Sequence, residues 1–300
     1  MDVLIEGYNS RDKQKIVELL KFCSLENDLD FMIESKNKEC AFVAKAGEKV
    51  VGFLCAWKSK THSKCTYISF ATHPFYRKYH IDNLLYSKLV KENVTYPIVI
   101  KIWESHYDSK QFLLEKHFVE MRRTYAPILI LADELLIQVK EHLVENNEYI
   151  SIVTVKDILK DEQFTEKLVR LVKDNYEFTH QDNPIENFEL KVWKDMLLDC
   201  LLEDGSFVSI NKKNNEIEAY TMLHYSSKED KLEIGWVGVR DSNNLGLITT
   251  LVMHQIKFAK SNGILMLESE FDTTSESALE LLKSFPFVKA PTLVTYLKEK

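Results

Sequence analysis

The feature that most limits what this chain can fold into is an apolar pattern that runs through it twice. In the first half a short strand, Val3 to Tyr8, precedes a helix that starts after Ser10 and carries Ile16, Leu19, Leu20 and Cys23 at helical spacing. A hairpin follows, with Ala41–Ala44 and Val50–Trp57 flanking the turn residues Ala46-Gly47-Glu48. Next come a strand at Thr66–Ala71, a turn through His73–Arg77, and a helix with Ile81, Leu85 and Leu89 on one face. A buried-type strand at Pro97–Trp103, a short helix at Ser109–Lys116 and an edge strand at Thr124–Ile130, where Pro127 cannot donate to a ladder, complete the half.

The order then recurs. A strand at Ile152–Val155 leads to an amphipathic helix bearing Phe164, Leu168, Leu171 and Val172, then to a hairpin of Phe207–Ile210 and Ile217–Leu223. Leu232–Val239 is a strand, followed by a turn and a helix with Ile248, Val252, Ile256 and Ala259. Ile264–Glu268, a helix from Ser275 to Lys283 and a last strand at Thr292–Tyr296 close the copy. Phe42 and Phe207 lie 165 residues apart, and Phe53 and Tyr220 lie 167 apart; a nearly constant offset is the mark of an internal duplication. At roughly 150 residues per domain, 300 residues also fit two domains. The segment from Ala132 to Asn147, with Leu135, Leu136, Val139 and Leu143 in helical register, reads as a connecting helix rather than a flexible linker. The fold class is α/β.

Composition narrows the function. With 45% hydrophobic and 28% charged residues, 8 Gly and 6 Pro, the chain is neither collagen-like nor low-complexity. No stretch of about 18 apolar residues reads as membrane-spanning, and Met1–Glu6 lacks the basic and apolar regions of a secretory signal. The five cysteines (Cys23, Cys40, Cys55, Cys65, Cys200) form no C-x-x-C pair, so neither a disulfide framework nor a zinc site is expected. These features together predict a reducing, cytoplasmic setting. A formal charge of −7, with no basic stripe, disfavours nucleic acid and favours cationic small molecules such as amines. His180, His224 and His254 lack metal-ligand spacing; Cys55 and Cys200, in apolar runs, read as buried, and the four tryptophans as core residues.

In each half a strand runs into a polar turn and then a helix, which aims unpaired N–H groups and a positive dipole end at whatever lies beyond the strand. Such an end suits a pyrophosphate. Within this frame, His73-Pro74-Phe75-Tyr76-Arg77-Lys78-Tyr79-His80-Ile81-Asp82-Asn83-Leu84-Leu85 resembles the P-x-Y-R-G-x-G-x-G/A-x-x-L-L segment of the GNAT family of acetyl-CoA-dependent N-acetyltransferases. Trp236-Val237-Gly238-Val239 followed by Gly246 resembles a second copy of it. The segments ending in Phe118 and Phe287 resemble the family's Y-E-K-x-G-F close.

The resemblance implies two GNAT-like domains, each a mixed central sheet flanked by helices: a degenerate one at 1–131, a connecting helix at 132–148, and a catalytic one at 149–300. It implies acetyl-CoA as cosubstrate and transfer of its acetyl group to a primary amine of a small molecule or peptide, by a monomer or a homodimer. In the first copy the loop glycines are replaced by His80 and Asp82, with Arg77, Lys78 and His80 at cofactor-binding positions. In the second, Val237, Gly238, Val239, Asn243, Asn244, Leu245, Gly246, Leu247 and Ile248 fall at those positions, with Asn243 or Asn244 where the family has an arginine, so the loop is expected to carry no positive charge. Glu233 is the implied general base, and the N–H of Val237 or Gly238 the oxyanion donor. Leu114 and Leu282 occupy the family's leaving-group tyrosine position, leaving Tyr296 as substitute. Tyr176, Glu177, Phe178 and Asp182 are the acceptor-binding candidates, carboxylates for an ammonium and a ring face beside it. A catalytically inactive, acyl-CoA-binding or regulatory module is the alternative.

Overall fold

Two tight turns set the register of the sheets. The computed structural model describes residues 2–23, 33, 35–132 and 148–300, so the expected connecting helix falls, but for its ends, outside the described residues. In the first turn Ala46 pairs with Lys49 across Gly47, whose φ of 61° is the left-handed conformation that glycine adopts without penalty. In the second Asn211 pairs with Glu216, and Asn215 takes the left-handed position at φ 55°.

The chain divides into two compact units: Met1–Met121 with Asp182–Glu186 and Val294–Lys300, and Arg122–Gln181 with Asn187–Leu293. The first contains β1 (Leu4–Gly7), α1 (Lys13–Cys23), β2 (Lys38–Ala46), β3 (Lys49–Trp57) and β4 (Thr66–Thr72). A 3₁₀ turn, Pro74–Tyr79, leads from β4 into α2 (Ile81–Val90), followed by β5 (Ile98–Trp103), α3 (Tyr107–Glu115) and the first three residues of β6 (Val119–Tyr125), whose remainder belongs to the second unit. Strand alternation sends Phe42 and Ala44 to the α2 face, where Ile81, Leu85 and Leu89 pack, and Ala41 and Val43 to the α1 face with Ile16, Leu19 and Leu20. Each of the fully buried isoleucine, leucine and valine side chains among these contributes roughly 1.5–3 kcal/mol.

The second unit repeats this order. After β7 (Ile128–Ile130) and β8 (Ile150–Thr154) come α4 (Val155–Ile158), α5 (Glu162–Thr179) and α6 (Leu190–Leu198). Asp161 caps α5 by accepting from the N–H groups of Gln163 and Phe164, and the helix buries Leu168, Leu171 and Val172. Then follow β9 (Phe207–Asn211), β10 (Glu216–Tyr225), β11 (Lys231–Val239), a 3₁₀ turn at Ser242–Asn244 and α7 (Gly246–Ser261). β12 (Met266–Ser269), β13 (Phe271–Asp272) and α8 (Glu276–Ser284) complete it. The sheet order is β7-β12-β11-β10-β9-β8. Ile248, Leu251, Val252 and Ile256 of α7 and Leu281 of α8 cover one face over Ala219, Leu223 and Ile234, while α5 packs against β10 and β11. No helix among the described residues is long and apolar enough to cross a membrane.

Two strands depart from the sequence reading. The single edge strand expected at Thr124–Ile130 is two, β6 and β7, because Pro127 interrupts it, and β7 pairs antiparallel with β12. The strand expected to close the second half, β14 (Thr292–Lys298), lies between β5 and β6 and gives Val294 and Tyr296 to the first unit's core. Residues 122–131 correspondingly group with the second unit. Tandem copies of one pattern carry no signal that tells a terminal strand which sheet to join.

Candidate active site

In the second unit β11 and β12 run parallel, pairing from Lys231 with Met266 to Ile234 with Ser269. β11 continues five residues beyond that pairing, to Val239. Against β10, Thr221 faces Val237 and Leu223 faces Ile234, so Gly235 and Trp236 together oppose the single residue Met222. This is a β-bulge, which bends the strand and takes backbone groups out of the ladder. The gap opens into a cleft of about 1020 Å³, at the upper end of the roughly 300–1,000 Å³ usual for small-molecule sites.

Glu233 is half-buried in this cleft, one residue before the end of the parallel ladder. Burial, and then the neighbouring charges of Glu270 and Glu268, push its pKa above the usual carboxylate value. Directly across on β10 stands His224, buried, whose Nδ1 donates to the carbonyl of Asp199 (3.1 Å). A carbonyl can only accept, so the proton sits on Nδ1 and Nε2 is left as a bare acceptor. Nε2 is buried without a partner, and burial holds the imidazole below its ordinary pKa, hence neutral. Gly235 makes room for this ring: a Cβ there would lie 2.8 Å from Nε2. Further along, Tyr220 is opposite Gly238, fully buried but lining the cleft, and its hydroxyl accepts from Asn175 Nδ2 at 3.3 Å. An aromatic wall of Tyr176, stacked on His180 (3.9 Å) and tilted against Trp236 (5.4 Å), is backed by Trp193.

At the far end, α7 begins at Gly246 with no side-chain cap, and Leu245 lines the cleft. Asp241 accepts from both the N–H and the Nδ2 of Asn243, fixing the turn. Asn244 Nδ2 reaches Glu218 at 3.5 Å, while Leu247 and Ile248 point into the core and have only backbone to offer a ligand. The expected absence of positive charge is corrected by Arg240, which lines the cleft just before the turn; its Nε donates to the carbonyl of Ile217 and its guanidinium pairs with Glu216 (2.8 Å).

The equivalent place in the first unit is built differently. β4 and β5 also pair in parallel, over Thr66–Ile68 and Ile98–Ile100, but β4 meets β3 in unbroken register with no bulge. The pocket there is about 310 Å³. Arg77 is paired with Asp108, and Asp82 accepts a hydrogen bond from Thr72 while lining the pocket. Burial pushes Asp82 upward in pKa. Lys78 lies over the ring of Tyr79 (5.3 Å). His80 sits at φ 52°, the conformation a glycine would supply, so the loop keeps its shape after losing the residue that suits it. The variant His80→Gly is therefore expected to gain about 0.5–1 kcal/mol, the relieved strain less the added entropy of the unfolded chain. Thermal unfolding checks this; an unchanged or lower Tm would contradict it.

Of the residues singled out in the sequence, the cleft brings together Glu233, Val237, Val239, Leu245, Tyr176 and Phe178. Glu177 is instead held by Lys173 (2.7 Å), and Asp182 groups with the first unit; neither lines the cleft. Tyr296, in the first unit's core, does not line it either. Cys200, expected to be buried, is exposed at the cleft with φ 54°. Sequence reasoning missed Tyr220, Asn175, Glu270 and the placement of His224; only the glycines packed against the two ring residues, Gly235 beside His224 and Gly238 beside Tyr220, hinted at them. Among the described residues no group of three or more His, Cys, Asp or Glu could hold a metal ion.

Residues 8–92 match the family model described as the acetyltransferase (GNAT) family. No curated protein matches the sequence. Among solved structures, a GCN5-related N-acetyltransferase from Sphaerobacter thermophilus superposes with a TM-score of 0.62 at 13% identity, covering 99% of this chain and 95% of that one. A tandem GNAT protein from the clavulanic acid biosynthesis pathway gives a TM-score of 0.57 at 11% identity, with 99% and 98% covered. The fold is thus that of the GNAT acetyltransferases over nearly the whole length. More particularly, the chain is a pair of GNAT-like domains, the first carrying the family's sequence pattern and the second repeating its element order.

Proposed function

We propose that the second unit is an acetyl-CoA-dependent N-acetyltransferase acting on a primary amine, and that the first is a degenerate partner domain. The observation that carries this reading is the bulge of β11 against β10 beside the gap from β12, a bulge that β4 lacks against β3 among the described residues, leading to the uncapped start of α7. The cosubstrate would lie in that gap, its pyrophosphate against the N–H groups of Leu245, Gly246 and Leu247, with Arg240 close by. The sequence match to the family at 8–92 reports the strand and loop pattern of the first unit, where Asp82 and the Arg77–Asp108 pair fill the corresponding space.

The chemistry follows from the placement of groups. An ammonium group gives its proton to the Glu233 carboxylate, and the resulting neutral amine attacks the thioester carbonyl carbon. The carbonyl oxygen, gaining charge as the C–N bond forms, is met by the N–H of Val237 or Gly238 at the bulged strand. The C–S bond then breaks and the electron pair leaves on sulfur. Burial raises the pKa of Tyr220, so its phenol stays protonated and donates a hydrogen bond to the departing thiolate rather than the proton itself. That proton comes from the amide nitrogen, which sheds its second hydrogen as the product forms.

Calorimetry with acetyl-CoA, followed by thiol release with a panel of amines, tests the reading. One molecule bound per chain is expected, and release only when an amine is present. Binding without release would point to the regulatory-module alternative; two molecules per chain would contradict the assignment of the first unit.

A further inference from the structure

We infer that the acceptor is a diamine or polyamine, a molecule that brings at least one ammonium group besides the one that reacts. This rests on the acetyltransferase reading and names the substrate class of the same cleft.

The charge that lines the cleft is mostly negative. Asp174, Asp199, Glu233 and Glu270 line it, and among the described residues none of these carboxylates has a lysine or arginine within 4.0 Å. Among the described residues Arg240 is the only basic side chain of the lining apart from histidines, and its guanidinium is already committed to Glu216 and the carbonyl of Ile217. His224 adds an independent demand of the same sign. It is 8% exposed, it lines the cleft, and its Nε2, left bare by the Nδ1 bond to Asp199, has no donor. A buried acceptor left unmet is costly, so the ligand that suits this place supplies N–H groups.

One ammonium group does not satisfy such a site productively. Carboxylates that grip the reacting ammonium also stabilise its charge, and that charge must be lost before the nitrogen can attack. A second, non-reacting ammonium removes the conflict. It stays charged from the bound state through the transition state, so the carboxylates attract it throughout, and its own charge makes the reacting nitrogen easier to deprotonate. The faces of Tyr176 and Trp236 suit the methylene chain between the two nitrogens and tolerate a cation beside them. An acceptor bearing a carboxylate meets like charge instead.

The full-length protein with acetyl-CoA is assayed by thiol release against 1,4-diaminobutane, butylamine and 4-aminobutanoate, at one pH and low ionic strength. The expected kcat/KM for the diamine exceeds that for butylamine at least tenfold and that for 4-aminobutanoate at least a hundredfold, with the margin shrinking as salt is added. Butylamine or 4-aminobutanoate used as well as the diamine overturns the inference and leaves the acetyltransferase reading intact. Failure of every amine to release thiol sinks that reading instead. The inference is then decided by calorimetry alone: tighter binding of 1,4-diaminobutane than of butylamine by tenfold supports it, and equal or absent binding overturns it. In the double variant Asp174→Asn, Glu270→Gln the diamine-to-monoamine ratio is expected to fall at least fivefold; an unchanged ratio counts against the assignment.

Discussion

Glu233→Gln lowers kcat/KM for amine acetylation at least tenfold while the affinity for acetyl-CoA stays the same. The substitution keeps the shape of the side chain and its half-buried place at the end of the parallel ladder, and removes only its ability to take a proton. General bases contribute roughly 10²–10⁴-fold, so tenfold is the lower bound. The pH profile gives an independent signature. Burial and the nearby Glu270 and Glu268 raise the Glu233 pKa above 4.5, and the base works only as carboxylate. Activity therefore climbs as pH rises through that elevated pKa and is lost below it, and the variant loses this acidic limb. Turnover unchanged in Glu233→Gln would remove the residue from the mechanism. His224, opposite it on β10 with a free Nε2, would then be the base to test.

How much of this was legible in the sequence depends on the range of the interactions involved. The duplicated element order was readable because it rests on local periodicity: Ile81, Leu85 and Leu89 mark one helix face, and Gly47 a turn, without reference to the rest of the chain. The place of Glu233 was readable for the same reason, as a carboxylate on the strand that precedes a strand–turn–helix junction. The aromatic wall of the cleft was only half readable. Tyr176 and Phe178 lie in the cleft, but Glu177, one turn of helix from Lys173, is drawn to that lysine instead. His224 and Tyr220 looked like ordinary strand residues, because what makes them exceptional is a glycine on the neighbouring strand, and cross-strand register is not written in either strand alone. The bulge at Gly235–Trp236 is invisible for the same reason: it is a mismatch of count between two strands. The placement of β14 was beyond reach, since the two sheets present similar edges to the same apolar strand pattern.

The other large effect expected is at Gly238, where a single methyl group disrupts the packing on which the cleft depends. A Cβ there would lie 2.2 Å from Asn175 Nδ2 and 2.6 Å from the Tyr220 hydroxyl, well inside contact distance. Tyr220 is 1% exposed and has no room to swing aside, so either Asn175 is expelled or β11 moves away from α5. Overpacking of this kind costs roughly 1–3 kcal/mol, and loss of the Asn175–Tyr220 hydrogen bond roughly 0.5–1.5 kcal/mol more. Gly238→Ala is accordingly expected to destabilise the second unit by about 2–4 kcal/mol, a fall in its Tm of roughly 5–15 °C, and to abolish measurable turnover. Gly7→Ala is the control, because a Cβ at Gly7 meets nothing within 4 Å and the chain there is already extended strand. The double variant Gly238→Ala, Tyr220→Phe removes the nearest oxygen and should recover part of the lost stability, since neighbouring residues that share one space do not act additively. Equal melting of Gly238→Ala and Gly7→Ala would mean that β11 and α5 are not packed as tightly as the register requires, and the cleft would lose the rigid wall that sets its chemistry.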